Sequence, residues 1–240
     1  MEARYSVKDR AAVPIAGKTM LQHVVDALRG SSHVGEIYII GNTQCAGDPK
    51  VVEPRGDFTE NLVAGVEACS EAERILVATS DIPMVTAEAI DDFIRRCEAV
   101  DADFYYPIVA REASERRFPG MHRTYVRIAE GVFTGGNVVL LSRRFVLENA
   151  KIIQAVMDAR KSPVRLAKVM GVGVLVRAIV AQLIWPGALG LKHLEEVAAR
   201  ILNARVKVVQ TPYPEIAADV DRPEQIDTIE RYYSMEGDSP

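Results

Sequence analysis

Apolar and polar positions alternate along this chain in blocks that change period. From Ile75 to Ala78 the sequence Ile-Leu-Val-Ala runs without a polar interruption and then gives way to Thr79-Ser80-Asp81-Ile82-Pro83. A short continuous apolar run of this kind suits a strand buried on both faces, as in a parallel sheet. Pro83 ends the ladder and forces an extended exit, which leaves Asp81 at the strand's C-terminal end. Leu21, Val24, Val25 and Leu28 recur at three- and four-residue steps, so 19–29 reads as an amphipathic helix with Thr19 as its N-cap. Helices are likewise predicted over 59–70 and 86–98, and from about 221 to 233.

Strands are predicted at 36–42, 51–54, 75–79, 104–109, 124–128, 138–141 and 206–209, with the 124–128 run alternating and therefore half exposed. Strands and helices alternate through the first hundred residues, which predicts an α/β fold with a Rossmann-like, doubly wound, mostly parallel sheet. The 240 residues read as a single domain, 1–240, with a helical insertion over 143–205.

Within that insertion, Val169 to Leu191 is almost wholly apolar, broken by Arg177, Gln182 and Pro186. A central arginine costs a bilayer-spanning helix about 2.5–3.5 kcal/mol, and the proline breaks the run, so a membrane crossing is not expected. The segment 164–191 is expected to pack against the core or a second subunit. The alternative is a membrane-surface element, given the basic flank Arg160, Lys161, Arg165 and Lys168.

Charge and composition narrow the function. A net charge of −4 and a pI near 5.7 give no electrostatic footprint for nucleic acid. Cys45, Cys69 and Cys97 are odd in number and far apart, so they read as ordinary thiols rather than disulfides or zinc ligands. The first residues contain no apolar leader, which makes the cytoplasm the expected compartment. No G-x-G-x-x-G follows a predicted strand and no G-x-S-x-G elbow is present. With four histidines (His23, His33, His122, His193), dehydrogenase and serine-hydrolase chemistry are disfavoured.

Five segments, in order, resemble the nucleotidyltransferases of the MobA-like, GT-A type. Arg10 to Leu21 is similar to the family's K-x-L-x-P-x-x-G-K-P-M-L, and Gly56 to Leu62 to the segment that meets the nucleobase. Thr79-Ser80-Asp81-Ile82-Pro83 resembles G-D-x-P. Phe133 to Asn137 resembles the glycine-bearing acceptor loop, and Asp219 to Glu224 the closing D-x-D/N-x-P-E-D segment.

The resemblance implies a GT-A fold and transfer of a nucleotide from a nucleoside triphosphate to a small phosphorylated acceptor. It also implies release of pyrophosphate and dependence on Mg2+ or Mn2+. It places Asp81 with Asp221, then Asp219, then Glu215, at the metal. Lys18 and Arg10 fall on phosphate, Gly56, Asn61 and Ser80 on the nucleotide, and Gly135, Gly136 and Asn137 on the acceptor. The residues by themselves leave alternatives open. Asp81 also suits a turn, Asp221 a helix cap, Lys18 a solvated surface and Gly135-Gly136 a bulge. Arg111, Arg123 and Arg127 suit either an anionic acceptor or a solvated face.

The family's opening strand and L-A-G-G-x-x-x-R loop belong shortly before residue 10, and no glycine precedes Gly17. A sequence without that phosphate cradle is expected to show weak or no transferase activity, through truncation or loss of the loop. Two further functions fit the same pattern. One is a GT-A glycosyltransferase, since D-x-D also binds the metal of a sugar nucleotide. The other is a non-catalytic binding or scaffold protein that uses the apolar 164–191 segment.

Overall fold

The computed structural model describes residues 9–42, 45–47, 49–159, 171, 173–174, 180–182 and 184–237, the side chains of 234–237 excepted. The chain opens with a 3-10 turn, Arg10–Ala12, capped by the Asp9 carboxylate. A hairpin of two-residue strands follows, β1 (Pro14–Ile15) and β2 (Lys18–Thr19). Its two loop residues, Ala16 and Gly17, both have positive φ (48° and 83°), which is what a two-residue hairpin turn demands. Strands this short carry no readable period, and periodicity did not predict the hairpin.

Helix α1 (Met20–Gly30) follows, with the Thr19 hydroxyl accepting from the Gln22 amide as expected of its N-cap. Strands β3 (Tyr38–Ile40) and β4 (Lys50–Val52) pair in parallel, each shorter than the pattern suggested. Helix α2 (Phe58–Ala68) starts one residue earlier than predicted because Asp57 and Glu60 form a complete capping box. Then come β5 (Arg74–Ala78) and α3 (Ala87–Glu98), whose N-cap is Thr86.

The rest of the described chain consists of β6 (Phe104–Ala110), α4 (Arg111–Arg117), β7 (Val126–Ile128), β8 (Gly131–Gly135), β9 (Val138–Ser142), α5 (Arg143–Ala159), α6 (Leu191–Leu202), β10 (Val206–Gln210) and α7 (Pro223–Gly237). Helix α4 occupies a stretch between the strands predicted at 104–109 and 124–128 for which no element was predicted. It has no side-chain cap, and Ser114 is its one buried residue.

The six-stranded sheet runs β5-β9-β6-β8-β7, with β10 on the other edge of β6. Strand β10 is parallel to β6, and β9 is antiparallel to both β5 and β6. Hence β5, β6 and β10 share one direction, with β9 inserted in reverse. The expected α/β, doubly wound architecture is present. The reversal is new, because side-chain alternation carries no information about strand direction.

Both faces are covered. Leu76 and Ala78 of β5, with Val138, Leu140 and Val209, pack against Val24 of α1 and Ile90, Phe93 and Ile94 of α3. Ile75 and Val77, with Val139 and Leu141, pack against Val66 of α2 and Phe145, Val146 and Ile153 of α5. The run Ile75 to Ala78 therefore feeds two cores, as an unbroken apolar strand should.

Of the apolar segment 164–191, residues 164–170, 172, 175–179 and 183 lie outside the described residues. Its described part brings buried Ala181 and Leu189 against Ile108, Ile128 and Phe133, while Ile184 and Trp185 are 80% and 64% exposed. Among the described residues no helix is long and apolar enough to cross a membrane. Cys45 and Cys69 are half-buried and Cys97 is buried, all three as free thiols. Burial pushes the Cys97 thiol up to about 12.

At the far end of the β6–β10 pair, Asp103 receives Arg205 Nε at 2.9 Å and Arg205 Nη2 at 3.0 Å. It also receives the Arg205 amide at 3.0 Å. These bonds, Arg205 Nε and Nη2 first, hold the Asp103 carboxyl at about 2, below its ordinary 3.8. A depressed carboxyl stabilises the fold fully above the unfolded value and loses that contribution as pH falls through the folded one. Asp103→Asn is therefore expected to cost about 1–3 kcal/mol in urea melts at pH 7. The deficit should shrink towards zero as the pH approaches 2.

Candidate active site

The end of β5 is sewn to two other segments through the main chain. The Thr79 amide donates to the Asn137 carbonyl at 3.0 Å, and the Asn137 amide to the Ile216 carbonyl at 2.9 Å. The Val220 amide donates to the Asp81 carbonyl at 2.8 Å. Beneath them Val13, Ile15, Met20, Met84, Phe118, Ala218, Val220, Ile226 and Ile229 form one buried cluster. Segments from the two ends of the chain thus meet at the carboxyl end of β5, where open α/β sheets place their ligands.

Three aspartates and two arginines gather there. Arg10 Nη2 lies 2.8 Å from Asp81 Oδ2, 2.8 Å from Asp221 Oδ1 and 3.2 Å from the Val220 carbonyl. Arg123 Nη1 pairs with Asp219 Oδ1 at 2.7 Å, and the Arg123 side chain is only 8% exposed. Asn137 Nδ2 donates to the same Asp219 oxygen at 3.2 Å. Two polar atoms of the cluster are buried without a partner, Asp81 Oδ1 and Arg123 Nη2. A buried orphan costs about 1–3 kcal/mol, so two in one place mark a site built to receive something.

The carboxylates divide the charge unevenly. Burial, reinforced by the Asp221 charge and opposed by Arg123, pushes the Asp219 carboxyl up. Burial also works to raise Asp221, but hydrogen bonds from Arg10 and Asp219 outweigh it and the net direction is down. The two carboxyls are thus pushed in opposite directions, Asp219 up and Asp221 down. Burial lowers the Arg123 guanidinium against the pull of Asp219 and its neighbours.

Asp221 does not cap α7. The Gln225 side-chain oxygen accepts from the Asp221 and Arg222 amides, both at 2.8 Å, and leaves the Asp221 carboxylate to face Arg10. Asn137 owes its position to a break in the ladder. Ile108 faces Gly135 but Tyr105 faces Leu140, so three steps along β6 span five on the partner chain. The extra residues fall at Gly136 and Asn137, where a bulge carries the strand from β6 across to β5.

A model of the MobA-like NTP transferase domain matches residues 3–169. The chain belongs to that family. It is 36% identical, with a TM-score of 0.84, to a hypothetical transferase from Thermus thermophilus, over 93% of this chain and 92% of that one. Two more distant structures share the fold. One is a CMP:2-keto-3-deoxy-manno-octonic acid synthetase complexed with CTP, at 14% identity and TM-score 0.60, over 96% of this chain and 93% of that one. The other is a 2-C-methyl-D-erythritol 4-phosphate cytidylyltransferase, also from Thermus thermophilus, at 13% identity and TM-score 0.54, over 94% of each chain. No curated protein gives a significant match.

Against the family pattern, the structure gathers Arg10, Asp81, Asn137, Asp219 and Asp221 into one cluster, with Ser80 beside Asp81 in sequence. Other expected residues are engaged elsewhere. Lys18 Nζ pairs with Asp26 at 2.6 Å and lines a 250 Å³ cavity with His23, Arg117 and Tyr233. Its place on the β1–β2 hairpin, invisible to periodicity, sets that direction. Glu215 is buried and pairs with Arg117 Nε at 2.8 Å. Asn61 braces its own loop, accepting from the Arg55 amide at 2.8 Å and donating to the Gly56 carbonyl at 3.3 Å. Gly56 leaves room for the Glu60 carboxylate of the capping box, which a Cβ would meet at 1.9 Å.

Of the three central arginines only Arg123 enters the cluster. Arg111 pairs with Glu115 along α4, and Arg127 is exposed on β7. Residues 1–8, next to which the glycine-rich loop was expected, lie outside the described residues. Sequence reasoning overlooked the prop behind Asp81. Tyr233 Oη donates to the Pro83 carbonyl at 2.6 Å while its ring stacks on His23 at 4.9 Å.

Among the described residues no three His, Cys, Asp or Glu side chains group into a protein-only metal cage. Two convergent carboxylates are the set that magnesium takes when substrate phosphates and waters complete its shell. Asp81 and Asp221 fit that requirement, and the orphan Asp81 Oδ1 gives an arriving cation a further acceptor.

The bulge has little tolerance. A Cβ on Gly136 would lie 2.7 Å from Ile216 Cγ2 and 2.8 Å from Pro107 Cγ, inside a packed layer. Gly136→Ala is expected to destabilise the protein by about 1–3 kcal/mol, measured by chemical denaturation.

Proposed function

We propose that this chain is a magnesium-dependent nucleotidyltransferase that couples a nucleoside triphosphate to a small phosphorylated acceptor and releases pyrophosphate. An acceptor phosphate oxygen forms the new bond to the α-phosphorus. The bond from the α-phosphorus to the bridging α–β oxygen breaks, and its electron pair leaves with pyrophosphate. An anionic phosphate oxygen needs no base to deprotonate it, so positioning and charge neutralisation carry the reaction.

The observation that supports this reading most is the meeting of Asp81 and Asp221 around a single cationic nitrogen, in a chain of the MobA-like family. These two carboxylates would hold Mg2+ (or Mn2+), which would supply positive charge to offset that of the triphosphate. Asp219, tied to Arg123 and Asn137, stands behind Asp221. Arg10, half exposed at the rim, clamps phosphate as a planar fork. Asn137 and the Gly135–Gly136 bulge border the acceptor side. Lys18 has no role in this scheme, because Asp26 holds it.

Calorimetric titration with each of the four ribonucleoside triphosphates, with and without Mg2+, tests the proposal. At least one triphosphate should bind, and bind tighter with the metal. Asp81→Ala should weaken that metal-dependent binding at least about tenfold. Unchanged binding in Asp81→Ala, or no binding of any triphosphate to the wild type, would refute the assignment.

A further inference from the structure

Arg10 and Arg123 flank the same aspartates and are built differently. Arg123 is sealed in, with a side chain 8% exposed and an ion pair to Asp219 at 2.7 Å, so it is a permanent charge of the fold. The Arg10 side chain is 43% exposed and extends from a single 3-10 turn at the rim. Its Nη2 bridges two distant segments of the chain. One nitrogen takes two carboxylates from different segments, each at 2.8 Å, and a carbonyl at 3.2 Å. One nitrogen thus stands between the two carboxylates, in place of the two-nitrogen fork an arginine ordinarily offers one carboxylate.

We propose that Arg10 is the resting site's own cation, holding the place of the divalent ion between Asp81 and Asp221 until loading of that ion expels it towards the incoming phosphate. The inference rests on the cation-site reading above and adds regulation to it. Arg10 Nη2 fills the position between Asp81 Oδ2 and Asp221 Oδ1 where an ion bridging both carboxylates would sit, and two cations do not fill that position together. The geometry allows the exchange. Asp81 is held through its main chain by Val220, while the Asp221 side chain is 59% exposed and free to close on a smaller ion. Asp81 Oδ1 is left unpartnered by Arg10, which bonds Oδ2. A coordinating ion satisfies what the guanidinium does not.

Exchange also couples the two binding events. Without metal, Arg10 offsets part of the aspartates' charge and keeps them apposed. With metal, the same guanidinium is released as a phosphate donor, so the ion prepares the site for an anion. Order follows from this: cation first, polyphosphate second.

The test uses the full chain with Mn2+ alone, counting free ion by electron paramagnetic resonance, in wild type, Arg10→Met and Asp81→Asn. The Arg10 Nε–Hε signal of the wild type is also followed by NMR as Mg2+ is added, which needs no variant to fold. Arg10→Met is expected to bind Mn2+ about fivefold tighter, the order expected from releasing two half-exposed ion pairs. The Arg10 signal should move and broaden in step with Mg2+ loading. If Asp81→Asn weakens Mn2+ while Arg10→Met leaves it unchanged or weaker, the exchange is wrong and the cation site stands. A tighter Arg10→Met with an unmoved Arg10 signal also overturns it, leaving only repulsion at a distance. If Mn2+ binds none of the proteins, or binds Asp81→Asn as it binds wild type, the cation site itself fails and the exchange with it.

Discussion

Two carboxylates from segments far apart in sequence, Asp81 and Asp221, face one another across a single guanidinium nitrogen. Like charges at that separation repel unless a cation stands between them. The fold around them serves that requirement. The Asp81 carbonyl accepts from Val220, the end of β5 is bonded to Asn137, and Asn137 to Ile216. Each link is a main-chain bond, so the apposition is fixed by backbone and leaves the side chains free to exchange partners.

Charge in the cluster is arranged in two layers. The inner layer, Asp219 with Arg123 and Asn137, is largely buried and static. The outer layer, Asp81, Asp221 and Arg10, is more open to solvent and replaceable. A buried guanidinium with one unpartnered nitrogen is tolerated because Asp219 offsets it. Burial raises the Asp219 carboxyl, whereas at Asp221 burial is outweighed by the hydrogen bonds of Arg10 and Asp219 and the carboxyl is drawn down.

Much of this was legible in the residues. The unbroken run Ile75 to Ala78 announced a strand with two cores, and Thr19 and Thr86 announced their helices. The ordered motifs pointed to Arg10, Asp81, Asn137, Asp219 and Asp221, which the fold brings together. What stayed hidden depends on direction and reach rather than period. The reversed β9 has the alternation of any strand. Helix α4 is too short and polar to show a stripe. The Ala16–Gly17 turn that aims Lys18 at Asp26 lies in a hairpin of two-residue strands. Gln225 displaces Asp221 as the stabiliser of the α7 entrance, a choice between two capping side chains that spacing cannot make.

The central claim is that Asp81 and Asp221 share one divalent cation. A crystal soaked in Mn2+ and measured at the manganese absorption edge addresses it directly. The account predicts one anomalous peak at coordination distance, about 2.1 Å, from both carboxylates, with the Arg10 guanidinium turned away. Arg10 still seated between the two aspartates, with no peak beside Asp81, would contradict it.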